Sequence, residues 1–221
     1  MSETNTNIIK IKAVIFDFGN VIAGFDHHIA CRRLMPFTTL SEEEIYELIF
    51  ESGIEKRYDE GKISTEEFYQ LVLSEIQIKE EKLNLFSFGE IWSDIFSINS
   101  DIEMMLNKIN SQVKLLLLSN TNKLHWKHIS RFQIMRRFFS ESEDLILSFR
   151  SDGFRKPDER IFLEGIRKSG YSPKEIIYVD DIPDYVEVFK KLGGEGIVYN
   201  CQTDSIRMLQ NELSKYGIET L

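Results

Sequence analysis

Cysteine is nearly missing from this 221-residue chain: Cys31 and Cys201 are the two it has, and neither belongs to a CxxC or a Cys/His cluster. Two widely separated thiols make neither a disulfide framework nor a zinc site, so both are expected as reduced side chains. Long apolar runs are missing as well. No stretch approaches the ~18 residues a membrane helix needs. Residues 1–7 are polar and lack the basic-then-apolar order of a secretory leader, so the expectation is a cytoplasmic protein with no membrane partner. Basic excess is the third absence. Against 36 Asp+Glu stand 27 Lys+Arg, a formal net charge of −9, the wrong sign for nucleic acid or an anionic membrane surface as main partner. There is no internal repeat and no low-complexity segment. What remains is an ordinary globular composition, 42% hydrophobic, long enough for one domain or for one domain with a small appendage.

Short apolar runs separated by amphipathic stretches organise the chain. Ala13-Val14-Ile15-Phe16 ends at Asp17, residues 113–118 end at Ser119-Asn120, Leu145-Ile146-Leu147 is a third run, Ile176-Ile177-Tyr178-Val179 ends at Asp180-Asp181, and Gly196-Ile197-Val198-Tyr199 is a fifth. Runs of this length, apolar on both faces, suit strands of a parallel sheet covered by helices. Residues 101–109, 157–169 and 183–192 read as the intervening helices, with Pro157 in a first turn, Gly170 as a stop, and Gly193-Gly194 ending the last. The alternation predicts a doubly wound, Rossmann-like α/β core. Residues 25–100 break it. Ser41 with Glu44, and Ser64 with Glu67, are capping-box pairs that open helices. Ile91, Ile95 and Phe96 suggest a further helical face. The expected organisation is a core of residues 1–24 and 101–221 with an all-α cap, residues 25–100, inserted after the first strand, where it would cover a site at the strand ends.

Ligands of open α/β sheets bind beyond the carboxyl ends of the strands. The residues there are Asp17, Gly19, Ser119, Asn120, Asp180 and Asp181, with Lys156 just ahead of the helix that leads to the fourth run. Singly, each has an ordinary structural role. Together they are carboxylates without His or Cys partners, a hydroxyl beside an amide, and one lysine. Such a set prefers a hard cation, with Mg²⁺ the default, and suits phosphoryl transfer with an Asp nucleophile.

These motifs resemble the haloacid dehalogenase-like (HAD) hydrolases. The apolar strand and Asp17-Phe18-Gly19-Asn20, Ser119-Asn120-Thr121-Asn122, Arg155-Lys156-Pro157-Asp158 and Val179-Asp180-Asp181 occur in the family's order. Tyr58-Asp59-Glu60-Gly61-Lys62-Ile63-Ser64 resembles the branch with a helical cap after the first strand. Within that branch the likeness is to sugar-phosphate phosphatases of the α-D-glucose-1-phosphate phosphatase type and, more distantly, to the phosphatase domain of epoxide hydrolases. The resemblance implies a Mg²⁺-dependent phosphoric monoester hydrolase of a small phosphorylated metabolite, working through an aspartyl-phosphate. Asp17 would be nucleophile and metal ligand, and Asp181 a second ligand. The Gly19 carbonyl would be another, with Asp180 either on the metal or on Lys156. Ser119 and Asn120 would hold phosphate oxygens, and Lys156 would steady the nucleophile and the transferring group.

Two positions depart from the family pattern. Gly19 stands where most of its phosphatases carry the Asp that serves as general acid and base, a function worth 10²–10⁴-fold. This leaves open another group or water, a substrate with an undemanding leaving group, or a weak or silent protein that binds a phosphorylated ligand. Tyr185 replaces a common Asp or Asn, with Asp184 beside it as a candidate for the metal's surroundings. A metal-free dehalogenase is a further alternative, opposed by the Asp180-Asp181 pair and by the lack of Tyr at position 19. His27 and His28 start the expected cap, where they either face the cleft or, as favoured, are solvated hinge residues; His125 and Trp126 are expected as packing residues. Finally, residues 25–100 hold 7 basic and 16 acidic side chains, so the net −9 belongs wholly to the expected cap. An acidic cap favours small monophosphates over polyanions.

Overall fold

The computed structural model describes residues 10–220; the polar residues 1–7 lie outside it. Five parallel strands form the central sheet: β1 (Ala13–Phe16), β4 (Lys114–Ser119), β5 (Leu145–Leu147), β6 (Ile176–Asp180) and β7 (Glu195–Val198), in the order β5-β4-β1-β6-β7. Two short strands, β2 (Ala23–Phe25) and β3 (Phe96–Ile98), make a separate antiparallel pair. The doubly wound α/β class expected from the apolar runs is the fold observed.

Alternation along the strands explains the two layers. Val14, Phe16, Leu115, Leu117, Ile177 and Val179 face one side, where they pack with Ile102, Met105 and Leu106 of the helix Ser100–Ile109. Ala13, Ile15, Leu116, Leu118, Ile176 and Tyr178 face the other, against Ile161 and Phe162 of the helix Glu159–Ser169 and Val186 and Phe189 of the helix Pro183–Lys191. Both faces are therefore covered, which is why the runs are continuously apolar.

Between β2 and β3 the chain is helical: His27–Leu34, Glu42–Tyr46 continuing into a wider turn over Glu47–Glu51, Ile54–Asp59, Thr65–Glu75 and Leu85–Ser93. Both capping boxes form, with Ser41 and Ser64 accepting from the Glu44 and Glu67 N–H groups. These helices bury a core of their own around Cys31, Ile45, Phe68, Val72 and Trp92.

Three local readings differ from the structure. The helix expected from Pro157 begins at Glu159, because Asp158 is extended and its side chain accepts from the Arg160 N–H at 3.0 Å. Ile95 and Phe96 lie beyond the end of the helix Leu85–Ser93 rather than on its face, because Phe96 starts β3, which pairs with Phe25. A three-residue strand offers no alternation to read, so the β2–β3 pair escaped the pattern.

Gly61 and Gly53 separate two costs of adding a side chain. Both have φ in the left-handed region, +67° and +82°. A Cβ at Gly53 meets nothing, whereas one at Gly61 would lie 2.8 Å from the Phe149 carbonyl oxygen across the interface with the α/β layer. Gly53→Ala is expected to cost about 1 kcal/mol, the left-handed penalty alone. Gly61→Ala is expected to cost at least about 1 kcal/mol more, a difference that urea unfolding of the two variants measures directly.

Candidate active site

The register of three neighbouring strands builds the site. Phe16, the last residue of β1, pairs with Leu117 of β4 and Val179 of β6. The residues that follow, Asp17, Ser119 with Asn120, and Asp180 with Asp181, therefore emerge at one carboxyl edge. Asp17 is still held by its N–H, which donates to the Val179 carbonyl at 2.9 Å. Lys156 enters from the loop ahead of the helix Glu159–Ser169, and its Nζ lies 2.9 Å from Asp17 Oδ1 and 2.6 Å from Asp180 Oδ2. Lys156 is 2% exposed, Asp180 0% and Asp17 8%.

Around this pair of ion pairs each carboxylate has a different set of partners. Both oxygens of Asp180 are engaged: Oδ2 also accepts from the Tyr178 hydroxyl and Oδ1 from the Ile182 N–H. Asp181 accepts from Asn20 Nδ2 at 3.2 Å. Asn20 holds that pose from a left-handed backbone, φ +54°, and its Oδ1 accepts in turn from the Gln202 amide. Asn120 has its carboxamide on the Lys156 main chain, accepting from N at 2.9 Å and donating to O at 3.1 Å. It thereby fixes the lysine. The Ser119 hydroxyl lines the cleft with no partner among the described residues. Asp184 is exposed and touches none of these groups, and the neighbour of Asp181 is Asn20, seated at the other end of the sequence motif set.

One lysine does not balance three carboxylates. Oxygens of Asp17, Asp180 and Asp181 lie within 4.8 Å of one another. Burial pushes the Asp17 carboxyl up to about 7, with Lys156 pulling it down and Asp180 adding to the rise. Burial also raises Asp181, against the Asn20 hydrogen bond. For Lys156, burial opposes the charge, but Asp17 and Asp180 outweigh it and its pKa is raised. Surplus negative charge on hard oxygen donors is a setting that a small divalent cation fits.

The helical layer supplies the opposite wall of a cavity of about 190 Å³. Glu55 and Asp59, one turn apart on Ile54–Asp59, share a side and face Arg155 at 4.0 and 3.8 Å. Burial holds Glu55 well above the usual carboxyl range, and the Asp59 charge adds to this against the pull of Arg155. Asn122 Nδ2 donates to Asp59 Oδ1 at 3.0 Å and to His125 Nδ1 at 3.1 Å. That fixes the neutral tautomer of His125, whose Nε2–H donates to the Trp92 carbonyl. Although Asp59, Arg155, Asn122 and Asn20 fall within the motifs, sequence reading assigned no role to Glu55, Asp59, Arg155, Asn122, Asn20 or Tyr178. A signal existed for the first two, since like charges four apart on a helix repel and need an outside partner.

A model of haloacid dehalogenase-like hydrolases matches residues 11–193 of the chain. The chain belongs to this family. Among curated relatives, D-ribitol-5-phosphate phosphatase of Bacteroides thetaiotaomicron is 28% identical over 198 residues, covering 84% of this chain and 90% of the relative. The HAD-like hydrolase also superposes on solved structures. One is a HAD family enzyme of B. thetaiotaomicron in complex with magnesium and inorganic phosphate (TM-score 0.72, 22% identity, 90% of this chain and 98% of the other). Another is a HAD-like family hydrolase of Porphyromonas gingivalis (TM-score 0.77, 23% identity, 92% and 98%).

In this HAD-like hydrolase the missing side chain at position 19 has a packing cause. A Cβ on Gly19 would lie 2.6 Å from the Phe25 ring, which packs on Phe96 and His27 at 5.9 and 5.0 Å between centroids. The space an acid would use is filled. His27 is not the solvated hinge residue expected. Its Nδ1 is sealed from solvent without a partner, its ring lies 4.3 Å from that of Phe50, and burial pushes its pKa down to about 4. His28 is half exposed, with Nδ1 2.8 Å from Glu42. Cys31 and Cys201 are free thiols.

Gly19→Asp is therefore expected to lower the melting temperature and to give no rate gain, whereas the double variant with Phe25→Ala recovers stability; thermal unfolding of both decides this. A second outcome concerns pH. The unfolded chain protonates His125 near pH 6.5, the buried ring only near pH 3. Between those values the unfolded state binds more protons, so this contribution to stability falls as pH falls. Buried carboxyls such as Asp17 titrate in the opposite sense, so the comparison must isolate the histidine. The difference in unfolding free energy between the wild type and His125→Asn is expected to change by about one proton's worth of slope between about pH 4 and 6, and a flat difference contradicts the assignment.

Proposed function

We propose that this HAD-like hydrolase is a Mg²⁺-dependent phosphatase that cleaves a small phosphorylated metabolite, a sugar or polyol monophosphate, through an aspartyl-phosphate. The observation that carries the reading is the bridge from Lys156 Nζ to Asp17 and Asp180, with Asp181 beside it and an unpartnered Ser119 hydroxyl across the cleft. The kinship with a D-ribitol-5-phosphate phosphatase supports the substrate class.

Asp17 attacks phosphorus, the P–O bond to the leaving oxygen breaks, and water later cleaves the acyl phosphate to release inorganic phosphate and free Asp17. Lys156 aims the Asp17 carboxylate and offsets the charge of the phosphoryl oxygens, while Ser119 and main-chain N–H groups beside Asn120 receive those oxygens. Asp17, Asp181 and the Gly19 carbonyl would hold Mg²⁺, which when bound neutralises the remaining negative charge. Asp180, whose Oδ2 accepts from both Lys156 and Tyr178, serves Lys156. With Phe25 filling the room beside Gly19, no acid stands at that position, and the leaving oxygen takes its proton from water. The acidic pair also favours this reading over a metal-free dehalogenase, which has no use for Asp181.

Purified protein is expected to release phosphate from p-nitrophenyl phosphate in Mg²⁺, to stop in EDTA, and to lose at least about 10³-fold in kcat on Asp17→Asn. Activity that survives either treatment overturns the mechanism. Silence across a wide panel of phosphate esters favours a protein that binds a phosphorylated ligand without turnover.

A further inference from the structure

The far wall of the cleft is built for something other than phosphate. Glu55 and Asp59 come from the helical layer, Arg155 and Asn122 from the α/β layer, and all but Asn122 line the same cavity as Asp17 and Lys156. Asn122 joins them through Asp59. The Arg155 side chain is 23% exposed and its nearest carboxylate oxygens stand at 3.8 and 4.0 Å, beyond hydrogen-bond reach. None of its five donors is used among the described residues. The Glu55 side chain is 14% exposed and lies one turn from Asp59 on the same helix. The open polar atoms of Arg155 and Glu55 reach the cavity, where a ligand can take the place of water.

The chemistry of the unmet groups selects a ligand. Arg155 already faces both acids, so a second phosphate or carboxylate would have to compete with them for the one cation. An apolar tail would leave Arg155 and the acid pair desolvated and unsatisfied. A pair of neighbouring hydroxyls fits both sides, since each hydroxyl donates to a carboxylate and accepts from the guanidinium. The rings of Phe25, Phe96 and His27 line the same cavity and can cover the carbon backbone between.

We propose that Glu55, Asp59 and Arg155 form a diol-reading subsite that grips the hydroxylated, unphosphorylated end of the substrate and makes the enzyme select monophosphorylated polyols and sugars over esters without hydroxyls. This rests on the phosphatase reading and names the part of the cleft that sets its selectivity.

The test uses the full chain with Mg²⁺ and two esters, ribitol 5-phosphate, which carries a hydroxyl chain, and p-nitrophenyl phosphate, which carries none. For Glu55→Leu and Arg155→Leu the ratio of kcat/KM for the polyol ester to that for the aryl ester is expected to fall 10- to 100-fold, the worth of one or two hydrogen bonds to charged groups. Glu55→Gln, which keeps an acceptor and the volume, is expected to fall less. A general loss of fold or catalysis lowers both rates and leaves the ratio within about threefold, and that outcome, or an unchanged ratio at full activity, overturns the subsite. If the wild type turns over neither ester, the phosphatase reading fails by itself, and binding then judges the subsite. Thermal stabilisation by ribitol 5-phosphate that disappears in Glu55→Leu upholds it; equal stabilisation in both proteins, or none in either, overturns it.

Discussion

A single buried ammonium organises the catalytic edge. Lys156 Nζ joins Asp17 on β1 to Asp180 on β6, and nearly every other polar group there is arranged to make that bridge tolerable. Tyr178 and the Ile182 N–H hold Asp180, Asn120 clamps the lysine's main chain, and two tyrosine rings lie within 6 Å of its charge. A buried ion pair is weak evidence for stability, since desolvation consumes most of the Coulombic gain. Here its value is positional. It holds the Asp17 carboxylate in one place in an environment that, by burial alone, would drive it toward neutrality.

The second constraint is steric. Gly19 and Phe25 are a matched pair, one lacking a side chain and the other filling the room. Seen in sequence, Gly19 looks like the loss of a catalytic group. Seen in three dimensions, the space beside the nucleophile is occupied by an aromatic ring that belongs to the root of the helical insertion, so the position is packed rather than vacated.

Much of the architecture was legible because the relevant signals are local. Buried parallel strands are continuous apolar runs, and capping boxes announce helices such as the one after Ser64. The edge residues were legible too, because in this topology they must follow Phe16, Leu118 and Val179. What escaped depends on contacts distant in sequence. Nothing around Asn20 says that it meets Asp181, and nothing around Asn122 says that it meets Asp59 across the two layers. Asp184 looked apt because it neighbours the acidic pair along the chain, yet the helix it opens turns it to solvent. Glu55 and Asp59 hid inside an acidic segment, where two charges among many carry no mark of burial.

Both connections of the helical insertion to the α/β body run through β2 and β3, a ladder only three residues long on each side. Such a ladder is a narrow strap, able to bend while its two halves stay in step. Phe25 sits on that strap, with its ring against Gly19. The same ring thus belongs to the root of the helices and to the floor of the cleft, so a change in how the helices seat on the α/β body would alter the room beside the nucleophile.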